Sequence, residues 1–244
     1  MSATIALRFA SPSDRDDIVA ILCDAFQDDS IHRWVFRNRR SQDYWLSKTM
    51  RETVRFTFSH GVAIVANADD CPEPVGAALW YPPPERLSFW WETNELAWWD
   101  TIGAQLRFAP LLFDWPAYRR HFVMNRFLNS IAPAQVGRCW FLNALAVRKS
   151  HNRRGIGSTL LREGLARASS QQLPVFLRAW AHLVPFYERY GFASVTQATL
   201  PGGEQVCHGL VWYPPRRAEE VKPSVAQAAA PPSLPVRKLR AGTD

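Results

Sequence analysis

Two glycines lie close together in the stretch VRKSHNRRGIGSTLL (147–161), where an apolar strand ends and an amphipathic helix begins. Glycine inside a helix costs about 0.5–1 kcal/mol relative to alanine, so Gly155 and Gly157 need a local reason. The start of a helix exposes unpaired N–H groups and the positive end of the helix dipole, which together favour an anion. Arg153 and Arg154 add positive charge. The stretch therefore predicts a cradle for a pyrophosphate group.

The glycines do not match the two common nucleotide-binding patterns. A dinucleotide fold would have G-x-G-x-x-G in its first strand–helix turn, and a phosphate loop would have G-K-[ST]; neither pattern is present here. A second explanation also stays open, in which Gly155 and Gly157 only allow the helix to pack closely on its strand.

The stretch FLNALAVRKSHNRRGIGSTLL (141–161), followed further along the chain by PFYERYGF (185–192), resembles the GNAT superfamily of acyl-CoA-dependent N-acetyltransferases. The family motif [Q/R]-x-x-G-x-[G/A] begins here at Asn152, which replaces the usual Gln or Arg. The resemblance implies that the turn binds the pyrophosphate of acetyl-CoA and that the preceding strand pairs with its pantetheine arm. The coenzyme-binding residues implied are Leu145, Ala146, Val147, Arg153, Arg154, Gly155, Ile156, Gly157 and Ser158.

The resemblance also implies a catalytic residue. In the family, the tyrosine at the position of Tyr187 lies near the coenzyme sulfur and protonates the departing thiolate. A phenol with a pKa near 10 suits that transfer, because a thiolate has comparable basicity. Many members have a coenzyme-contacting asparagine four residues earlier. This sequence has Leu183 there, so that contact is absent or comes from His182.

The base that deprotonates the acceptor amine is not identified by the resemblance. The strand WFLNALAV (140–147) contains no carboxylate, so the base must come from the first inter-helix loop or from a later insert. The candidates are Asp28, Asp29, Glu95, Asp100, Asp114 and His121. We expect the thioester carbonyl to be polarised by a backbone N–H between Asn143 and Leu145, without a metal.

The motifs FL-x-x-x-x-V (141–147), PFYER-x-GF (185–192) and LWYPP (79–83) look most like puromycin N-acetyltransferase-type enzymes of bacteria and fungi. That likeness implies acetyl-CoA as co-substrate and a small-molecule amine as acceptor. Two alternatives stay open: a non-catalytic acyl-CoA-binding or regulatory module, and an enzyme that acetylates a protein N-terminus or lysine.

Composition excludes several function classes. The 244 residues are 47% hydrophobic and 21% charged, which is typical of a globular chain. The net charge of +7 is not gathered into a stripe, so no nucleic-acid partner is predicted. No apolar run approaches the roughly 20 residues of a membrane span, and no membrane partner is predicted. The N-terminal residues lack the pattern of a secretory signal, which predicts a cytoplasmic location. The sequence does not distinguish a monomer from a homodimer.

The spacing of apolar residues predicts the elements that position these motifs. Strands are expected at 4–10, 61–68, 74–82, 138–147, 174–180, 192–198 and 205–213. Helices are expected after Ser11-Pro12 and at 41–58, 153–170 and 183–191, and the stretches DDCPE and PGGE are expected as turns. Helices alternate with strands in the second half, which implies parallel pairing there, and hairpins imply antiparallel pairing elsewhere.

The predicted fold is a mixed α/β (α+β) fold, and the resemblance implies a twisted, mostly antiparallel sheet of six to seven strands flanked by helices. We expect one domain over 1–213. Residues 85–134 hold five of the eleven tryptophans and are predicted to form a helical insert, and the Pro/Ala-rich residues 214–244 are predicted to be a disordered tail. Four widely spaced cysteines, without a C-x-x-C pair, predict buried thiols: Cys23, Cys71, Cys139 and Cys207.

Overall fold

A computed structural model of the chain describes residues 5–83, 115–131, 137–200 and 205–215. Seven strands of these ranges form one sheet in the order β1-β2-β3-β4-β5-β7-β6. β4 and β5 are parallel, and the other neighbouring pairs are antiparallel. The strands are β1 (Ile5–Phe9), β2 (Val62–Ala68), β3 (Cys71–Tyr81), β4 (Trp140–Val147), β5 (Val175–Trp180), β6 (Ala193–Thr199) and β7 (Val206–Trp212).

Helices cover both faces of this sheet. They are α1 (Arg15–Phe26), α2 (Ser30–Val35), α3 (Arg39–His60), α4 (Trp115–Ser130), α5 (Ile156–Ser170) and α6 (Val184–Glu188). The adjacent β3 residues Leu79 and Trp80 point to opposite faces, as strand geometry requires. Leu79 packs in a core formed with α1 and α3, whereas Trp80 packs in a core formed with α5 and α6. We refer to these as the α1/α3 face and the α5 face.

The predicted fold class is confirmed: the sheet is mixed, mostly antiparallel and flanked by helices. Three boundaries need correction, one of which is the helix expected at 183–191, since α6 ends at Glu188. β3 begins at Cys71, so DDCPE is not wholly a turn and only Asp69-Asp70 reverses the chain. The helix predicted from 153 begins at Ile156, because the residues before it form the turn. Helix α2 was not predicted, since its six residues are too few to show a helical period.

Other predictions fall partly outside the described residues. Within the predicted insert the structure describes α4, and residues 84–114 and 132–136 lie outside the description, as do the PGGE turn and residues 216–244 of the predicted tail. The prediction of four buried thiols is half right: Cys139 and Cys207 are buried, but Cys23 and Cys71 are only half-buried. Among the described helices, none is both long and apolar enough to cross a membrane.

Helix α5 packs closely on the sheet because two glycines leave room for large side chains. A Cβ atom added at Gly164 of α5 would lie 2.0 Å from the Trp80 ring, and one added at Gly76 of β3 would lie 2.8 Å from Ile156 Cγ2. Trp80 is only 2% exposed, so its ring has nowhere to move. The start of α5 is therefore fixed against β3 and β4.

We predict that Gly164→Ala destabilises the fold by about 1–3 kcal/mol, because the added methyl group overpacks the Trp80 contact. This outcome is opposite in sign to the about 0.5–1 kcal/mol that alanine gains over glycine in an unconstrained helix. Gly157→Ala in the same helix is the matched control, since its Cβ would meet only Val147 Cγ2 at 3.7 Å. Urea unfolding checks both variants; a Gly164→Ala protein as stable as the wild type would contradict the packing.

Candidate functional site

Strands β4 and β5 pair over only three residues and then part. Trp140–Leu142 pair with Val175–Leu177, after which β4 continues to Val147 along β3 and β5 continues to Trp180 along β7. We call the space beside residues 143–147, where β5 no longer pairs with β4, the β4–β5 gap. Backbone N–H and C=O groups at such an edge need partners, and an extended ligand can supply them.

The parting coincides with a β-bulge at Asn143. Leu79 of β3 pairs with Ala144 and Trp80 pairs with Leu142, so Asn143 is the extra residue on β4. A bulge bends its strand and increases the local twist, which accounts for the divergence of β4 from β5. It also changes the alternation of side chains, because Leu142 and Leu145, three residues apart, both pack on the α5 face.

The bulge also decides which backbone groups face the gap. The Arg148 N–H donates to the Val75 carbonyl at 2.8 Å, so the main chain of Arg148 faces β3. Alternate residues of a strand direct their main-chain groups to opposite edges. The N–H and C=O groups of Leu145 and Val147 therefore face the β4–β5 gap, while those of Ala146 face β3.

The turn between β4 and α5 has two residues in the left-handed region. Arg153 has a φ of +64° and Gly155, the N-cap of α5, has a φ of +81°. A non-glycine residue in this region costs about 1–2 kcal/mol. Turns with such residues gather successive N–H groups into a concave anion site. No side chain caps the first turn of α5, so its N–H groups stay available.

The two glycines of the motif have different roles, and neither serves helix packing. Gly155 is required by its positive φ. The surroundings of position 157 do not require a glycine, because an added Cβ would make only an ordinary contact with Val147 at 3.7 Å. The close-packing explanation is therefore wrong for this pair; the contact with the sheet is made at Gly76 and Gly164. Leaving out a side chain at Gly157 keeps the first turn of α5 open to a ligand.

The two arginines of the turn also differ. Arg154 Nη1 binds Asp70 Oδ2 at 2.6 Å, and this hydrogen bond holds the pKa of Asp70 below its usual value. The contact ties the turn to the β2–β3 connection. Arg153 is exposed and has no carboxylate partner among the residues that the structure describes. Arg153 is thus the cation available to an anion at this turn, and Asn152 beside it is exposed as well.

Tyr187 lies in the core on the α5 face. It is 9% exposed and makes edge-on ring contacts with Phe186 and Phe192 at 5.0 and 5.7 Å between centroids. The same cluster contains Leu142, where the strands part, and Ile156, the first residue of α5. Burial raises the pKa of Tyr187 to about 12, so its phenol stays protonated at neutral pH. The position four residues earlier, Leu183, is exposed.

The carboxylates proposed as bases in the first loop have structural partners. Asp28 binds Lys149 Nζ at 2.6 Å and also Arg33, which lower its pKa. Asp29 accepts from the Ile31 N–H at 2.8 Å through Oδ1, which caps α2, and from Trp180 Nε1 at 3.0 Å through Oδ2. Both carboxylates therefore also have a structural role in the first loop.

Of the remaining candidates, only His121 lies within the described residues. Burial, with a smaller contribution from nearby His32, lowers the pKa of His121 and keeps it neutral at neutral pH. Glu95, Asp100 and Asp114 lie outside the description.

Sequence reasoning considered Asn143 only for its backbone and overlooked Tyr81. The hydrogen bond between their side chains joins two strands, so no local pattern indicates it.

Residues 124–207 match the family model described as an acetyltransferase (GNAT) domain. Most of the chain is also similar to solved structures at low identity. The similar structures include a histone acetyltransferase HPA2 and related acetyltransferase from Corynebacterium glutamicum, with a TM-score of 0.55, 19% identity and coverage of 89% of this chain and 99% of that one. The fold is that of the GNAT acetyltransferases.

Two further solved structures share this fold. A GNAT-family protein from Desulfovibrio desulfuricans has a TM-score of 0.51 and 14% identity, over 86% of this chain and 99% of that one. A mosquito protein named arylalkylamine N-acetyltransferase like 5b has a TM-score of 0.50 and 13% identity, over 86% of this chain and all of that one. GNAT acetyltransferases use acetyl-CoA as co-substrate.

Proposed function

We propose that this protein is an acetyl-CoA-dependent N-acetyltransferase that acetylates the amine of a small molecule. The observation that supports this most strongly is the continuity of one segment, residues 143–158. An open strand edge beside the β4–β5 gap leads directly into a turn with two left-handed residues and an uncapped helix start. An extended amide chain can pair with the open strand edge, and a pyrophosphate at its end can accept hydrogen bonds from the turn and the helix start.

In the proposed complex, the pantetheine arm pairs with the main chain of Leu145 and Val147. The pyrophosphate accepts hydrogen bonds from the turn residues Arg153 to Ser158, and the exposed Arg153 guanidinium adds positive charge there. Gly157 leaves the space that the phosphates need. The thioester then lies where β4 and β5 part, beside the cluster that contains Tyr187.

The proposed reaction is direct transfer. The acceptor amine attacks the thioester carbon, which forms a C–N bond and a tetrahedral intermediate, and the collapse of that intermediate breaks the C–S bond. Tyr187 gives its proton to the departing sulfur, and the amine loses a proton to a base. His121 is the described candidate for that base, because its imidazole is neutral and half-buried. A backbone N–H of the β4 edge stabilises the oxyanion of the intermediate.

The proposed small-molecule acceptor is in keeping with a buried aromatic cluster that lies beneath the parting of the strands. On the α1/α3 face, Tyr81, Phe141 and Phe176 form a series of ring contacts, with Phe56 of α3 against Tyr81 at 5.4 Å. Aromatic surroundings suit a compact organic amine, whereas a peptide acceptor would favour an open acidic groove. The resemblance to puromycin N-acetyltransferase-type enzymes supports the same acceptor class.

The alternative function is a non-catalytic acyl-CoA-binding module, which Leu183 and Asn152 favour because they replace family side chains.

A thiol-release assay with acetyl-CoA separates the enzyme from the non-catalytic module. The acceptor panel contains 2-phenylethylamine, an arylamine, an aminonucleoside and a lysine peptide. We expect turnover with at least one small amine. Binding of acetyl-CoA with no turnover on any acceptor would favour the module, and turnover on the peptide alone would favour a protein acetyltransferase.

We predict that Gly157→Val abolishes the rise in melting temperature that acetyl-CoA gives the wild type, because the valine side chain occupies the pyrophosphate position. A ligand that binds only the folded state stabilises it by RT ln(1 + [L]/Kd), so a lost shift reports lost binding. Gly157 is a better test than Gly155, where a positive φ would strain any substituted residue. Thermal unfolding with and without acetyl-CoA checks this. A full shift in Gly157→Val would place the pyrophosphate elsewhere.

We predict that Tyr187→Phe lowers kcat by about 10²–10⁴-fold, as expected for a lost general acid, with little change in acetyl-CoA affinity. Phenylalanine keeps the ring contacts, so the loss reports the hydroxyl. The deficit should be constant from pH 7 to 9, since a phenol with a pKa of about 12 stays protonated throughout. Tyr190→Phe is the control, with a much smaller effect. Turnover of Tyr187→Phe within about threefold of wild type would remove Tyr187 from the mechanism.

A further inference from the structure

We infer that the side chain of Asn143 binds the acceptor amine, with Oδ1 accepting a hydrogen bond from the amine nitrogen where β4 and β5 part. The inference rests on the proposed function and adds the residue that positions the nucleophile. Asn143 is the extra residue of the bulge and directly follows Leu142, the last β4 residue paired with β5. Asn143 lies at the inner end of the β4–β5 gap, and its side chain is half-buried.

A directed chain of hydrogen bonds fixes the orientation of the Asn143 amide. The single hydroxyl proton of Thr57 is donated to the Thr53 carbonyl at 2.8 Å. We assign the Tyr81 hydroxyl, 3.1 Å from Thr57 Oγ1, as the donor to Thr57, because Thr57 has already donated its proton. The Tyr81 oxygen can then accept from Asn143 Nδ2, which lies 3.5 Å away. The opposite orientation would place the Asn143 carbonyl oxygen against a lone pair of Tyr81. Oδ1 is thus on the side of the amide away from Tyr81.

Burial makes this chain rigid. Thr57 is 0% exposed and Tyr81 is 7% exposed, and the Tyr81 ring contacts Phe56 and Phe141 edge-on or tilted at 5.4 and 6.1 Å. Side chains held in this way lose little further freedom when a ligand binds, which favours a preorganised contact. Thr57 and Tyr81 are therefore positioning residues, and Asn143 is the group that touches the amine.

The placement also separates the nucleophile from the leaving group. Asn143 reaches Tyr81, which packs with Phe56 of α3, so the amide lies on the α1/α3 face. Tyr187 packs with α5 residues on the opposite face. An amine held by Asn143 approaches the thioester from one face while the thiolate is protonated from the other. An amide oxygen accepts from an amine N–H without adding negative charge, so it does not stabilise the unreactive ammonium form as a carboxylate would.

The test compares Asn143→Leu with Asn143→Asp, using the amine of the panel above that gives the highest wild-type turnover. Leucine has similar bulk without the oxygen, and aspartate keeps an acceptor oxygen at the same position. We expect Asn143→Leu to raise the KM for the amine about 10- to 100-fold while the acetyl-CoA thermal shift stays within experimental error of wild type. Asn143→Asp should bind the amine within about fivefold of wild type.

Two further variants test whether a change in the KM for the amine comes only from a disturbed structure. Tyr81→Phe leaves Asn143 in place but frees its amide, and a three- to tenfold rise in the KM for the amine is expected. Asn67→Leu, a change of the same kind at a register shift of β2, should leave both KM values unchanged. An amine KM in Asn143→Leu within twofold of wild type, with wild-type turnover intact, would overturn the inference alone. Absence of wild-type turnover on every amine would overturn the proposed function and the inference with it.

Discussion

The extra residue in β4 at Asn143 is the feature on which the rest of the site depends. Without it, β4 would continue in register along β5 and its backbone groups would be used within the sheet. With it, the strands part after Leu142, and the main chain of Leu145 and Val147 turns toward the gap. The same bulge keeps Leu145 on the α5 face, so the strand opens an edge without losing its core contacts.

An open strand edge is useful only if the next element is held at the correct distance. Gly76 and Gly164 let α5 lie directly on β3, with the Trp80 ring filling the space beside Gly164. The Arg154–Asp70 ion pair ties the turn to the β2–β3 connection, and the Lys149 N–H donates to Asp24 of α1 at 2.6 Å. The uncapped start of α5 is therefore a fixed extension of the β4 edge.

Much of this arrangement can be predicted from sequence, because it is encoded locally. The seven strands show apolar periodicity, and their observed bounds lie within about three residues of the predicted ones. The glycine turn and the helix of Tyr187 are short contiguous motifs. The predicted residues of both are placed around the parting of β4 and β5, although their roles remain proposals.

The remaining features depend on contacts between distant parts of the chain. The bulge at Asn143 is defined only by the register of β4 against β3, so the sequence WFLNALAV looks like an ordinary strand. Asp28 and Asp29 resemble free carboxylates until Lys149 and Trp180 are brought to them by the fold. Close packing at Gly157 is excluded only by its distance to Val147, which the fold sets. Sequence alone cannot supply such pairings.

Hydrogen exchange of backbone amides, followed by mass spectrometry with and without saturating acetyl-CoA, tests the central claim most directly. The claim is that one ligand occupies both the β4 edge and the turn before α5. The account predicts slower exchange, by about tenfold or more, in peptides that cover 143–147 and 153–158, with little change in peptides from β1 and β6. Slower exchange confined to other segments, or protection of the turn without protection of the β4 edge, would contradict it.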